Sequence, residues 1–136
     1  MIELHGWLTV RSTCGDEEQL TSAQTADVMQ RVRAVLAACG ADIRSEYRNG
    51  ALFLSALICA NHRAPDTDAV LGAFRQIAAA ASGSYGLIWL HDDEDAQLPN
   101  SFQVYVFRRG QCITRRDTDL SPCIPMLEDD LLRHSG

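Results

Sequence analysis

The stretch from Ser84 to Asp95 reads SYGLIWLHDDED and joins an apolar run directly to a block of acids. The residues from Tyr85 to Leu90 are aromatic, β-branched or aliphatic apart from Gly86, which is typical of a strand buried on at least one face. The acids from Asp92 to Asp95 cannot follow this run into the core, because burying an unpaired carboxylate costs several kcal/mol. The stretch therefore predicts a central strand that ends in an acidic tip.

The N-terminal half alternates strands with amphipathic helices. Ile2 to Val10 alternate apolar and polar residues and predict a first strand, with Trp7 on its less apolar face. Apolar residues at three- and four-residue intervals predict a helix from Leu20 that ends at Gly40. Asn49-Gly50 predicts a tight turn between two antiparallel strands, and a second helix follows them. These three elements are expected over Asp42–Tyr47, Ala51–Cys59 and Pro65–Ala81.

The chain after the acidic tip is expected to form a final hairpin. Phe102 to Phe107 are mainly apolar, Arg109-Gly110 can turn the chain, and Gln111 to Arg116 can return beside the first strand. The element order is then β-α-β-β-α-β followed by a hairpin. It predicts an α+β fold, a two-layer sandwich in which two helices cover one face of a mainly antiparallel sheet.

Acids are concentrated in the tip and in the tail that follows the hairpin. Residues 117–136 are expected to form an extended acidic tail, since Pro122 and Pro125 exclude both a helix and a central strand. Nine of the eighteen acids lie in residues 92–95 and 117–130, which contain no arginine. With Trp7 as an apolar anchor, these nine are the candidate partner-binding residues: Asp92, Asp93, Glu94, Asp95, Asp117, Asp119, Glu128, Asp129 and Asp130.

Length, charge and cysteine content restrict the function classes. The 136 residues are expected to form one domain. The sequence has no signal peptide and no run of about 18 apolar residues, so a cytoplasmic protein without membrane contact is expected. The net charge of −6 argues against nucleic acid and favours a cationic partner. The five cysteines lack the spacing of a disulfide framework or a zinc site.

Both ends of the chain resemble a known family. His5-Gly6-Trp7, Arg109-Gly110 and the segment from Asp117 through Pro122 and Pro125 to Asp129 are similar to the pattern of the immunity protein 7 family of bacterial polymorphic toxin and contact-dependent inhibition systems. The resemblance implies a small cytosolic α+β protein that binds and neutralises a cognate toxin C-terminal domain in the producing cell. It implies no catalytic residue, no cofactor and no metal. Nucleases are among the toxins that immunity families neutralise.

The charge pattern agrees with a basic toxin domain as partner. Many nuclease toxins must be cationic to hold phosphates, so clustered carboxylates can accelerate the encounter and occupy the same surface. The sequence does not determine the oligomeric state.

Two other functions remain open. A metal-dependent hydrolase could use Asp92 to Asp95 as ligands and His91 as a base. Neighbouring strand residues point in different directions, however, which argues against such a site. A small-molecule-binding module is the other alternative, and it predicts an apolar pocket beside Trp7 or Trp89.

Overall fold

The computed structural model describes residues 1–15 and 20–129 and confirms the predicted α+β fold. The helices and strands follow the order predicted from the sequence. The spacing of apolar residues, every second residue in strands and every third or fourth in helices, was sufficient to place them in order. Their bounds are β1 Ile2–Val10, α1 Ser22–Ala38, β2 Arg44–Arg48, β3 Ala51–Ala60, α2 Pro65–Ala80, β4 Tyr85–Asp92, β5 Gln103–Arg108 and β6 Gln111–Arg116.

The six strands form one antiparallel sheet in the order β2-β3-β1-β4-β5-β6. The first strand of the chain is therefore interior, and Leu4 lies opposite Ile58 of β3 and Leu90 of β4. Ile2 lies opposite Asp92, so the chain leaves β4 beside the beginning of β1. The register thereby places the acidic tip at one end of the sheet, which is also the end where β6 stops.

Both helices cover the same face of the sheet. Phe74 and Ile77 of α2 are fully buried, and the Phe74 ring meets Phe107 of β5 edge to face with centroids 5.7 Å apart. Each such side chain contributes about 1.5–3 kcal/mol through burial. The helix α1 lies farther out, and Val32 is its one fully buried residue among those described. No described helix is both long enough and apolar enough to span a membrane.

Two tight turns close the hairpins as the sequence predicts. Asn49 and Gly50 have φ angles of 51° and 79°, and Arg109 and Gly110 have φ angles of 50° and 74°. Paired positive φ angles are those of the turn whose twist matches antiparallel strands, and asparagine and glycine tolerate them best. The Asn-Gly prediction is therefore confirmed in detail.

Several boundaries differ from the predicted ones, and the largest shift in a strand is that of β2, which begins at Arg44 and not at Asp42. Thr21 caps α1, because its hydroxyl accepts the backbone N–H of Gln24 while the Gln24 side chain accepts the backbone N–H of Thr21. This reciprocal pair begins the helix at Ser22, and the helix ends one residue early at an extended Cys39, so Gly40 is not its cap. Asp92 belongs to β4 and not to the loop that follows it.

Candidate functional site

The two acid-rich stretches meet at one end of the sheet. The first follows β4, the second follows β6, and the Asn100 side chain joins the two segments. Both stretches therefore lie at the same end of the sheet. We call this group the acidic edge. Its described members are Asp92, Asp93, Glu94, Asp95, Asp117, Asp119, Glu128 and Asp129, and Asp130 lies outside the described residues.

Two acids of the tip stabilise the loop in which they lie through hydrogen bonds to its backbone. Asp92 Oδ1 accepts the Glu94 N–H at 3.0 Å. Asp95 Oδ1 accepts the N–H groups of Gln97 and Leu98 at 2.8 and 3.1 Å, and these bonds lower the pKa of Asp95. Because the N–H groups would otherwise lack a protein acceptor, these carboxylates have a local structural role.

The other two acids of the tip contact the N-terminus and a histidine. Asp93 bonds to the N-terminal ammonium group of Met1, which lowers the pKa of Asp93. Glu94 Oε1 lies 2.8 Å from Nδ1 of His62, in the loop that follows β3. The tip therefore carries less free negative charge than four consecutive acids suggest.

The tail folds back against the loop before β5. Asn100 Oδ1 accepts the N–H groups of Cys123 and Ile124 at 2.7 and 3.0 Å, and Asn100 Nδ2 donates to the Ile124 carbonyl at 2.8 Å. Ser121 Oγ accepts the N–H groups of Met126 and Leu127. These bonds give the described part of the proline-containing tail a defined path.

The Glu128 carboxylate joins the end of the described tail to Ser121. Its Oε1 accepts the Ser121 N–H at 2.8 Å, and this bond lowers the pKa of Glu128 from its ordinary value of 4.5. Because the pKa of Glu128 is lower in the folded state than in the unfolded state, its carboxylate stabilises the fold fully above the unfolded-state pKa. This stabilisation is lost as the pH falls through the folded-state pKa. The tail is therefore expected to loosen only in acid.

Asp119 and Asp129 are the tail acids most available to a partner. Both are exposed, and neither forms a hydrogen bond or an ion pair with the described part of the chain. Asp117, in contrast, accepts the Leu120 N–H at 3.0 Å. Among the candidate acids within residues 1–15 and 20–129, only these two have no hydrogen bond or ion pair that would give them a structural role.

Trp7 lies on the sheet face opposite the helices. It is 40% exposed and meets the Tyr85 ring edge to face, with centroids 6.2 Å apart. By strand alternation the same face carries further apolar side chains, and we call it the open face. Its apolar members are Trp7, Phe53, Leu57, Tyr85, Leu87, Trp89, Val104, Val106 and Ile113.

Leu57 and Phe53 are members of this surface that the sequence did not reveal as exposed. The nearly continuous apolar run of β3 indicated a central strand, and β3 is indeed interior to the sheet. Only one of its faces is covered, however: Leu54 is buried, whereas Leu57 is 68% exposed. A strand with one covered face normally alternates apolar and polar residues. The apolar residues on the uncovered face of β3 were therefore the sequence signal for an exposed apolar surface.

His91 does not act with the acids that follow it. Its side chain is fully buried, and Nε2 lies 2.9 Å from the Pro99 carbonyl, so Nε2 is the protonated nitrogen. Cys123 Sγ lies 3.6 Å from the same nitrogen, which therefore cannot accept the thiol proton. In the described ranges, no three His, Cys, Asp or Glu side chains are placed to hold a metal ion.

A cleft of about 1050 Å³ lies at the other end of the sheet. It is formed by the end of β1, the beginning of α1 and the turn between β2 and β3. Its lining includes Arg11, Thr25, Arg33, Asn49 and Tyr85. Neither tryptophan lines it, so it is not the pocket that the small-molecule interpretation predicts.

Comparison with known proteins relates these surfaces to a function. The model of the family described as immunity protein 7 matches residues 1–129. The chain belongs to the immunity protein 7 family. No curated protein and no solved structure matches it.

Membership of the immunity protein 7 family confirms the resemblance seen in the sequence. The match includes the first strand with Trp7, both hairpins and the tail as far as Asp129. The family indicates an immunity protein that acts against a toxin, which suggests the role of an inhibitor. Its partner is therefore a protein, and both the acidic edge and the open face are candidate surfaces for it.

Proposed function

We propose that this chain binds the toxin domain of its own system in the cytoplasm of the producing cell and blocks that domain's activity. The observation that carries the proposal is the family match over nearly the whole chain. The structure supports it with two exposed surfaces suited to a protein, one acidic and one apolar. A nuclease is the toxin class that the acidic edge fits best, because a nuclease has a cationic surface for phosphates.

The acidic edge has a specific part in this proposal. Charges more than about 8 Å from a partner are largely screened at physiological salt, but within that range they raise the rate of encounter. Asp119 and Asp129 supply charge that no described residue pairs, while the hydrogen-bonded acids of the tip stabilise the loop that carries them. We therefore propose that the edge attracts a basic region of the toxin, and that Trp7 enters the contact once the two proteins meet.

Growth of bacteria under toxin expression tests the proposed function. The C-terminal domain encoded immediately upstream of this chain is expressed alone and together with the chain, and growth and co-purification are recorded. The proposal predicts that the domain stops growth, that the chain restores it, and that the two elute as one complex. A toxic domain that is neither bound nor neutralised would contradict it.

A further inference from the structure

The apolar and charge pattern of the open face identifies where the partner docks. We propose that the toxin domain docks on the open face with an apolar surface flanked by carboxylates. This inference rests on the proposed immunity function and specifies the surface through which that function is exercised. The acidic edge lies at one end of the same sheet, so we expect a partner seated on the open face to reach both.

The centre of the open face is apolar across neighbouring strands. Trp7, Leu87, Val106 and Ile113 lie side by side in register across β1, β4, β5 and β6. Leu57 stands on β3 in the next row and is the most exposed of the large apolar side chains on this face. An antiparallel sheet with one uncovered face normally presents polar residues to water. Contiguous apolar surface of this kind marks an interaction site.

The size of the face matches that of a protein interface. Six strands spaced about 4.8 Å apart make a sheet roughly 24 Å wide. A standard interface buries about 800 Å² on each partner, which corresponds to a patch roughly 28 Å across. A folded domain therefore fits this face better than a small molecule, whose site is a concave pocket.

Arginines flank the apolar centre on both sides. Arg44 on β2 and Arg108 and Arg115 on β5 and β6 point to the open face by strand alternation, and all three are exposed. They form no ion pair within residues 1–15 and 20–129. Strand alternation places two acids on this face: Glu46 pairs with Arg48 at 2.6 Å, and Glu3 lies 2.8 Å from Nε2 of His5. The flanks are thus cationic although the whole chain is acidic, and they select carboxylates on the partner.

The same flanks disfavour a second copy of this chain as the occupant. Two copies stacked face to face about a two-fold axis that runs along or across the strands would place an arginine flank against an arginine flank. Like charges held opposite each other across an interface are repelled, and each copy also carries a net charge of −6. A different protein with the complementary pattern meets neither obstacle.

Substitutions on the open face test the location of the contact. Leu57→Arg and Trp7→Ala are measured for binding to the purified C-terminal domain encoded upstream, beside the control Tyr47→Ala. Tyr47 is 60% exposed and lies on the helix side of the same sheet. We expect both open-face variants to bind at least about thirtyfold more weakly, as for a truncated anchor residue, and Tyr47→Ala to bind like the wild type. Circular dichroism shows whether each variant remains folded.

A second pair of variants tests the charge of the partner. Arg115→Glu is compared with Arg33→Glu, which makes the same change of net charge on α1. The proposal predicts roughly tenfold weaker binding for Arg115→Glu and wild-type binding for Arg33→Glu. Stronger binding of Arg115→Glu would overturn the assignment of carboxylates to the toxin.

A spectroscopic probe needs no destabilising substitution. The chain contains two tryptophans, Trp7 and Trp89, and both lie on the open face. Fluorotryptophan incorporated into this chain alone gives one fluorine NMR signal for each. Addition of the unlabelled toxin domain is expected to shift both signals with the stoichiometry of the complex.

The possible outcomes separate this inference from the function on which it rests. If the wild-type chain neither binds nor neutralises the domain, the immunity function itself is contradicted. If it binds but both fluorine signals and the affinity of Leu57→Arg are unchanged, the open face is not the docking surface. Loss of self-association in Leu57→Arg, seen by sedimentation with toxin binding intact, would instead assign the face to a second copy and overturn the proposal.

Discussion

Gly86 shows how closely β1 and β4 approach each other beside the open face. A Cβ at this position would collide with the Trp7 carbonyl oxygen and would lie 2.8 Å from the Leu8 Cα. These are backbone atoms in the centre of the sheet, so they cannot move aside without shifting the strand that carries Trp7. Glycine is therefore required at this position because any side chain would clash with the backbone of β1, and not because of its φ angle.

We expect Gly86→Ala to lower the free energy of unfolding by about 2 kcal/mol or more, because overpacking a sheet displaces its backbone. Gly72 in α2 is the matched control, since nothing lies within 4 Å of a Cβ added there. Gly72→Ala is expected to raise the free energy of unfolding by about 0.5–1 kcal/mol through helix propensity. Urea denaturation of both variants checks this, and equal stability of the two would contradict the close approach.

The tail after β6 is held by side chains from the rest of the chain. Asn100 makes three hydrogen bonds to its backbone, and Ser121 and Glu128 close the turn that follows. Each bond contributes about 1 kcal/mol, so the tail is held by a few bonds, independently of the core under the helices. It can therefore open without unfolding the sheet.

Asn100→Ala is expected to free the tail and to make limited proteolysis near Pro125 several times faster, while the melting temperature changes little. Asn61→Ala, in the exposed loop after β3, is the control and should leave both quantities unchanged. Time-resolved proteolysis with mass spectrometry measures the effect. Equal cleavage rates in wild type and Asn100→Ala would show that other contacts hold the tail.

The helices and strands could be predicted from the sequence far better than the side-chain contacts between distant parts of the chain. Periodicity placed β1, the Asn49-Gly50 turn and β6 because each depends on neighbours within a few residues. The pairing of Glu94 with His62, and of Asn100 with the tail, joins residues about twenty to thirty positions apart, which no local pattern encodes. The exposure of Leu57 likewise depends on which sheet face the helices cover.

The whole chain carries a net charge of −6, and we propose that the part of that charge at the acidic edge raises the rate at which a basic partner arrives. We expect Asp119→Arg combined with Asp129→Arg to slow association with the toxin domain roughly tenfold at low salt and to flatten its salt dependence. The control Asp27→Arg combined with Asp42→Arg changes the net charge equally on α1 and just before β2. Stopped-flow mixing measures both, and equal rates for the two pairs would remove the acidic edge from the encounter.

The central claim is that this chain neutralises a toxin domain by binding it. Calorimetric titration of the purified C-terminal domain encoded upstream with the purified chain measures that binding directly. The account predicts saturable one-to-one binding with a dissociation constant below about 1 μM, equivalent to roughly −8 kcal/mol, and loss of the toxin's activity at the same molar ratio. Absence of saturable binding, or binding that leaves the toxin fully active, would contradict the account.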